Sequence, residues 1–132
     1  MLSRVYKFAQ TERVIRYITN EYGVECEFLW PERFPTDAVF RNPQSRKWFG
    51  IIMTILGARL GLETEKDVEI IDLKFDKGQA LDFAESTAGI FSGYHMNKRN
   101  WITIVLDDTV DDAEIFRLID KSFALSSCGA NI

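Results

Sequence analysis

The chain of 132 residues has the size of one domain, and it is long enough to bury a core without a disulfide or a metal ion. Hydrophobic residues make up 46% and charged residues 27%, which excludes intrinsic disorder. The net charge of -4 argues against nucleic-acid binding, because phosphates attract positive charge. This total says nothing, however, about how the charge is distributed along the chain.

Residues that carry reactive chemistry are few. Cys26 and Cys128 lack zinc-ligand spacing and are expected to be free thiols. His95 is the single histidine, which excludes sites that need two. Glycine-rich nucleotide motifs and nucleophile elbows do not occur, so we expect no cofactor and no enzyme. No apolar run reaches the length of a membrane span and no signal peptide is recognisable, which predicts a cytoplasmic protein.

The N-terminal region predicts a helix followed by a loop. Apolar residues at helical spacing predict the helix over residues 2–22. Ser3 and Thr11 are both candidate caps, and the second would start the helix near Gln10. Residues 24–36 contain two prolines and several aromatics, which predicts a loop held on the core by its aromatic side chains.

Three strands are predicted next along the chain. The first two, at residues 38–41 and 47–56, are joined by an Asn-Pro turn. Both faces of the longer strand are apolar, which is typical of a central strand. Strict alternation groups Trp48 with Ile52 on one of these faces, and Phe49 with Ile51 and Met53 on the other. The third strand is predicted over residues 68–75 from its β-branched residues.

A helix and a second hairpin are predicted after the third strand. Asp76 and Gln79 resemble a capping box and predict a helix that begins there and ends at Gly89. Apolar runs at residues 90–94 and 101–106, separated by a polar stretch, predict two hairpin strands.

The last predicted element is a helix capped by Thr109, with acidic residues in its first turn. The element order is therefore α-β-β-β-α-β-β-α. Short connections between consecutive strands predict an antiparallel five-stranded sheet. We predict an α+β fold of two layers, with the helices packed on one face of the sheet, in a single domain over residues 1–132.

Positive charge concentrates in the two predicted hairpins. Residues 41–59 carry a net charge of +4 and residues 86–106 carry +2, and neither window contains an acidic residue. The rest of the chain sums to -10. Cations beside aromatics and amides at loop tips suit contacts with phosphates. Solvated hairpin turns also carry such residues in proteins that bind no nucleic acid.

Two segments carry a family resemblance. One is the A-V-F-R and R-K-W-F-G-I-I-M sequence within residues 38–53, and the other is G-Y-H-M-N-K-R-N-W-I-T at residues 93–103. With Leu73-Lys74 and the segment 118–123, they make the chain resemble the MmcQ/YjbR family over about residues 24–125. The resemblance implies a compact antiparallel sheet with helices on one side, similar to the frataxin (CyaY) and secretion-chaperone shapes. It also implies DNA binding through two hairpins that act as a double wing.

The charge pattern and the resemblance together predict a DNA interface at the two hairpins. Five cations would neutralise phosphates: Arg41, Arg46, Lys47, Lys98 and Arg99. Three further side chains would contact phosphate, sugar or base edges: His95, Asn97 and Asn100. Alternatively, His95 forms a hydrogen bond that fixes its hairpin, and Trp48 and Trp101 pack at the bases of the wings.

Two other functions are open from the sequence. A protein-interaction module would use the aromatics of residues 28–34, or a sheet face, to bind a partner chain or a second copy. An enzyme would need a site such as a divalent cation held by Asp107-Asp108 and Asp111-Asp112. Acidic residues are common at a helix N-terminus, and no nucleophile with a base is visible, so we predict no catalytic residue and no metal ligand.

Overall fold

The computed structural model describes residues 6–127. The helices are α1 (Ala9–Tyr22), α2 (Ala80–Ser86) and α3 (Asp112–Ser127). The strands are β1 (Ala38–Arg41), β2 (Trp48–Leu56), β3 (Asp67–Lys74), β4 (Ile90–Ser92) and β5 (Trp101–Val105). A 3-10 turn, Gly57–Leu60, follows β2. The predicted element order and the α+β class are confirmed, whereas the predictions for Ser3 and Cys128 lie outside the described residues.

All five strands form one antiparallel sheet in the order β1-β2-β3-β5-β4. One face, here called the helix face, packs its buried aliphatic side chains against Val14, Ile18 and Ile115 of the helices. The opposite, open face has a separate apolar cluster that includes Ile51 and Ile70. Within the described chain none of the three α-helices contributes to that second cluster, so loops and the 3-10 turn must cover it.

The second strand contains a β-bulge that changes which side chains face the core. Phe40 pairs with Gly50, but the next residue, Arg41, pairs with Trp48, which leaves Phe49 as the extra residue. The predicted alternation at this point is therefore wrong. Phe49 is fully buried on the helix face, with its ring 5.0 Å from that of Phe123. Trp48 joins the open-face cluster instead.

A serine of α3 supplies the hydrogen bonds that the bulge would otherwise lose. The Ser122 hydroxyl donates to the carbonyl oxygen of Phe49 at 2.5 Å and accepts from the backbone N–H of Lys74 at 2.8 Å. It therefore bridges β2 and β3 at the place where their direct pairing stops. Because Ser122 is fully buried, no water can take over this role.

Helix α1 begins at Ala9, later than the main prediction and close to the alternative start near Gln10. Its N-terminus has no cap from its own side chains. The buried carboxylate of Glu69 on β3 accepts hydrogen bonds from the backbone N–H groups of Lys7 and Phe8 and from the Thr11 hydroxyl. Thr11 is thus inside the first turn rather than its cap, and the helix is anchored to the central strand.

The other two helices also start at residues different from those predicted. Helix α2 is shorter than predicted, and the predicted capping box is wrong because the Asp76 carboxylate pairs with Lys121 at 2.9 Å. Asp111, rather than the predicted Thr109, caps α3, because its carboxylate accepts a hydrogen bond from the Glu114 N–H at 2.9 Å. None of the helices in residues 6–127 is both long and apolar enough to cross a membrane.

The bridging serine gives a direct test of the bulge. Replacing Ser122 with Ala leaves the Phe49 carbonyl and the Lys74 N–H buried without partners, so we expect the free energy of unfolding to fall by about 3 kcal/mol. Urea denaturation followed by circular dichroism measures the change. The control Ser86→Ala removes an exposed helix hydroxyl and should cost less than about 1 kcal/mol. Equal losses in the two variants would contradict the bridging role.

Candidate functional site

The strand order brings both hairpin turns to one end of the sheet. Strands β1, β3 and β4 run towards this end, and β2 and β5 start from it. We call this region, residues 41–47, 74–77 and 93–100, the hairpin end. The two hairpins are separated by the end of β3, so three strand spacings set their centres roughly 14 Å apart.

Charge is divided between the two ends of the sheet. The hairpin end contains seven Lys or Arg residues and one acidic residue, Asp76. The opposite end, residues 57–67 and 106–112, contains seven acidic residues and two basic ones, and we call it the acidic end. Lys74 and Lys77 at the hairpin end were missed by the sequence analysis, because they fall in an acidic stretch of sequence. Only the strand order shows that they lie between the hairpins.

In the first hairpin, the charged groups of two of the three predicted cations are largely withdrawn from solvent. Arg41 lies 3.2 Å from the Glu27 carboxylate and covers the Trp48 ring at 5.8 Å. The ammonium of Lys47 is buried and has no hydrogen-bond partner among the described residues. Arg46 is different, because 64% of its side chain is exposed and Glu27 lies 3.8 Å away. The first hairpin thus presents mainly Arg46 to solvent.

The turn of the first hairpin is fixed to the end of α3. The side-chain oxygen of Asn42 accepts the backbone N–H groups of Gln44 and Ser45, and its amide donates to Ser126 at 3.1 Å. The Ser45 hydroxyl donates to the Ser126 carbonyl at 2.7 Å. Arg46 follows with a φ of 66°, an uncommon conformation for a residue other than glycine. The tip is therefore a braced structure that holds Arg46 in a defined place.

In the second hairpin, three of the predicted contact residues shape the loop. Asn97 accepts the backbone N–H of Arg99 at 2.8 Å, and the Lys98 ammonium donates to the Gly93 carbonyl at 3.0 Å. Asn100 accepts the backbone N–H of Gly78 at 3.0 Å, which ties the loop to the segment before α2. The Arg99 side chain is exposed and has no ion-pair partner within residues 6–127.

His95 occupies a different place from the cationic tip. It has a φ of 61°, lies against Tyr94 with ring centroids 4.1 Å apart, and lines a cavity on the open face. Its imidazole forms no hydrogen bond with residues 6–127, so the hairpin-fixing bond considered from the sequence is not present there. The second hairpin loop thus contributes to two surfaces, with Arg99 at the hairpin end and His95 on the cavity.

The open-face cavity has a volume of about 620 Å³. Its walls are aromatic, with Trp30 and Phe34 from the loop before β1, Trp48 from β2 and Tyr94 from the second hairpin loop. The sequence predicts that the aromatics of the 24–36 loop pack on the core, and Phe28 does pack against the helix-face core. The cavity could not be predicted, because residues so distant in sequence show no common periodicity.

The acidic residues considered as a cation site have other partners. Asp108 and Asp112 contact the Arg13 guanidinium at 2.5 and 2.6 Å, and Asp111 caps α3. Across residues 6–127 no group of three or more His, Cys, Asp or Glu side chains is arranged to hold a metal ion.

A buried carboxyl lies beneath the second hairpin loop. Asp72 on β3 is fully buried, and one of its oxygens accepts the Thr103 hydroxyl at 2.5 Å. Its other oxygen has no hydrogen-bond partner among the described residues. Burial raises the pKa of Asp72 to about 8, although the Thr103 hydrogen bond and the charge of Lys98 act in the opposite direction. Asp72 is thus largely protonated in the folded protein at neutral pH.

The raised pKa of Asp72 predicts a pH dependence of stability. Between pH 5 and 8 the folded state holds a proton on Asp72 that the unfolded state releases, so stability should fall as pH rises through this range. Asp72→Asn removes this contribution, and its stability relative to wild type should increase with pH, by at most about 1.4 kcal/mol per pH unit. Urea unfolding at pH 5, 6.5 and 8 measures the difference, with the exposed Glu65→Gln as control. Parallel pH curves for wild type and Asp72→Asn would contradict it.

Comparison with known proteins places the chain in a family. The family model for YjbR matches residues 20–125. The uncharacterized protein YyaQ of Bacillus subtilis (strain 168) is 35% identical over 115 residues, which cover 87% of this chain and 96% of that protein. A crystal structure of a Pseudomonas syringae protein superimposes with a TM-score of 0.82 at 35% identity and covers 87% of this chain and 97% of its own.

A more distant structure shares the fold alone. The Deinococcus radiodurans protein DR2400 has a TM-score of 0.63 at 18% identity, with 87% of this chain and 76% of that one covered. The family model and the Bacillus relative both span most of the chain, which confirms the resemblance predicted from the K-W-F and Y-H-M-N-K segments. The chain belongs to the YjbR family.

Proposed function

We propose that the hairpin end binds the phosphate backbone of double-stranded DNA. The observation that supports this best is topological, since the strand order gathers both basic hairpins and Lys77 at one end of the sheet. The centre-to-centre separation of roughly 14 Å is close to the ~12 Å width of the major groove. The two hairpins can therefore reach phosphates on the two sides of one groove.

The number of available cations sets the character of the proposed binding. Arg46, Lys77 and Arg99 are exposed. The other hairpin cations are less available, because Arg41 pairs with Glu27, the Lys98 ammonium donates to the Gly93 carbonyl, and the Lys47 ammonium is buried. Lys74 is half-buried over the Trp101 ring at 5.7 Å, and burial together with the Lys47 charge lowers its pKa. About three phosphate contacts give weak binding that depends on salt and has little sequence preference.

The acidic end gives this binding an orientation. Its carboxylates lie at the far end of the sheet from the exposed cations, so DNA would repel that end and attract the hairpin end. The net charge of the chain is consistent with such a protein, because the sum hides two separated regions of opposite sign. The function is binding rather than catalysis in this proposal.

Removing one exposed cation from each hairpin tests the proposal. Arg46→Asn combined with Arg99→Gln should make the negative slope of log K against log salt shallower by about 1.8. At 0.1 M salt this corresponds to a loss of roughly 60-fold in DNA affinity. Asparagine is chosen because it tolerates the positive φ of Arg46. Adding Lys77→Gln should remove about 0.9 more from the slope. Fluorescence anisotropy with a labelled duplex at several salt concentrations gives these values.

The matched control changes the same net charge elsewhere. Arg16 on α1 and Lys66 at the acidic end are exposed, and Arg16→Gln with Lys66→Gln should leave DNA affinity almost unchanged. Thermal unfolding checks that all variants are folded. If the control pair weakens binding as much as the hairpin pair, or if neither does, the hairpin end is not the DNA contact.

A second candidate function, a protein-interaction module, is favoured by exposed apolar side chains. Leu29, Trp30 and Phe34 are 37%, 39% and 48% exposed on the loop before β1. Co-purification of one stoichiometric partner, insensitive to salt and nuclease, would support it. Trp30 and Phe34 also line the open-face cavity, however, so their exposure has a second explanation in a small ligand.

A further inference from the structure

The open-face cavity lies outside the proposed DNA contact and has the dimensions of a ligand site. Its volume of about 620 Å³ falls within the ~300–1,000 Å³ that small-molecule sites occupy. Its floor is formed by apolar residues of β2, including Ile51 and Met53. The exposed cations Arg46, Lys77 and Arg99 are not among the residues that line it.

The cavity walls suit a flat or apolar body that carries a positive charge. Trp30 meets Trp48 edge to face, with ring centroids 6.0 Å apart, and Phe34 and Tyr94 add two further rings. Aromatic faces carry negative potential and attract cations, most strongly when water is excluded. The same rings bury apolar surface without any need for hydrogen bonds.

The charged groups of the cavity favour a cation over an anion. Asp37 is half-buried in the wall, and its carboxyl forms no hydrogen bond or ion pair with residues 6–127. Burial raises the pKa of Asp37 to about 6, since no cation compensates for its lost solvation. The other two charged groups on the lining, Asp67 and Arg59, are of opposite sign and are both exposed to solvent. The more deeply placed charge is therefore negative.

We propose that the open-face cavity binds a small amine with an aromatic or aliphatic body. The ammonium group pairs with Asp37, and the apolar body packs against the paired rings of Trp30 and Trp48. Binding gives Asp37 the counter-ion that residues 6–127 do not provide. His95 and Met96 close the side of the cavity nearest the second hairpin.

A matched pair of probes tests both the site and the sign of the charge. In titration calorimetry at pH 7.5, 1-naphthylmethylamine should bind and 1-naphthoic acid should not. Asp37→Asn should weaken amine binding at least tenfold, and Trp30→Ala should also weaken it by removing an exposed ring. The control Asp82→Asn removes an exposed carboxylate on α2 and should have no effect. Circular dichroism confirms that each variant is folded.

The pH dependence provides a second readout. If the amine binds only ionised Asp37, its affinity should fall about tenfold between pH 7.5 and 5. Tyr6 and Arg33 are the charged or titratable groups on neighbouring segments, and four others line the same cavity: Arg59, Asp67, Tyr94 and His95. Asp37→Asn should abolish this dependence. His95→Asn, which tolerates the positive φ at that position, should keep it.

Several results would overturn the proposal. They are the absence of amine binding, equal binding of amine and acid, and amine binding that Asp37→Asn leaves unchanged. Binding of the acid alone, abolished by Arg59→Gln, would assign an anionic ligand instead. The variant designed to weaken DNA binding, Arg46→Asn with Arg99→Gln, should bind the amine normally. Failure of one proposal therefore leaves the other intact.

Discussion

A single extra residue at Phe49 determines how the core and the cavity are built. The bulge sends Phe49 into the helix-face core and Trp48 to the open face, where it packs beside Arg41 and Trp30. Without it, regular alternation would exchange the two rings. The bulge interrupts strand pairing, and the inserted Ser122 hydroxyl restores the lost hydrogen bonds. Core packing, the cavity wall and the attachment of α3 thus depend on the same backbone irregularity.

The one-sided arrangement of the helices explains why the open face is chemically unusual. Loops cover it only in part, so a cavity remains beside the loop before β1 and a buried carboxyl, Asp72, lies beneath the second hairpin. The hairpin end and the cavity are separate surfaces. Their proposed ligands have opposite charge because the first presents cations and the second contains the carboxyl of Asp37. The second hairpin loop is their boundary, with Arg99 on one side and His95 on the other.

The sequence was sufficient for the element order and the sheet, because periodicity and turn residues are local signals. The helix caps predicted at Asp76 and Thr109 were wrong. Asp76 pairs with the distant Lys121, and the neighbouring Asp111 caps α3 in place of Thr109. The charge windows correctly marked the hairpins as basic, but they could not show that the Lys47 ammonium is buried. The Glu69 carboxylate that anchors α1 is 58 residues from Thr11 in the chain, so no local pattern predicts it.

The edges of the sheet limit how the protein can meet other chains. The edge strand β4 has three residues, and β1, at the other edge, has four, with Glu27 forming an isolated bridge to Val39 along it. Short or covered edges offer few free backbone groups for another strand to pair with. The fold is therefore protected against growth by strand addition, the usual route to aggregates of sheet proteins. The two surfaces for which we propose ligands are accordingly the face and the end of the sheet rather than its edges.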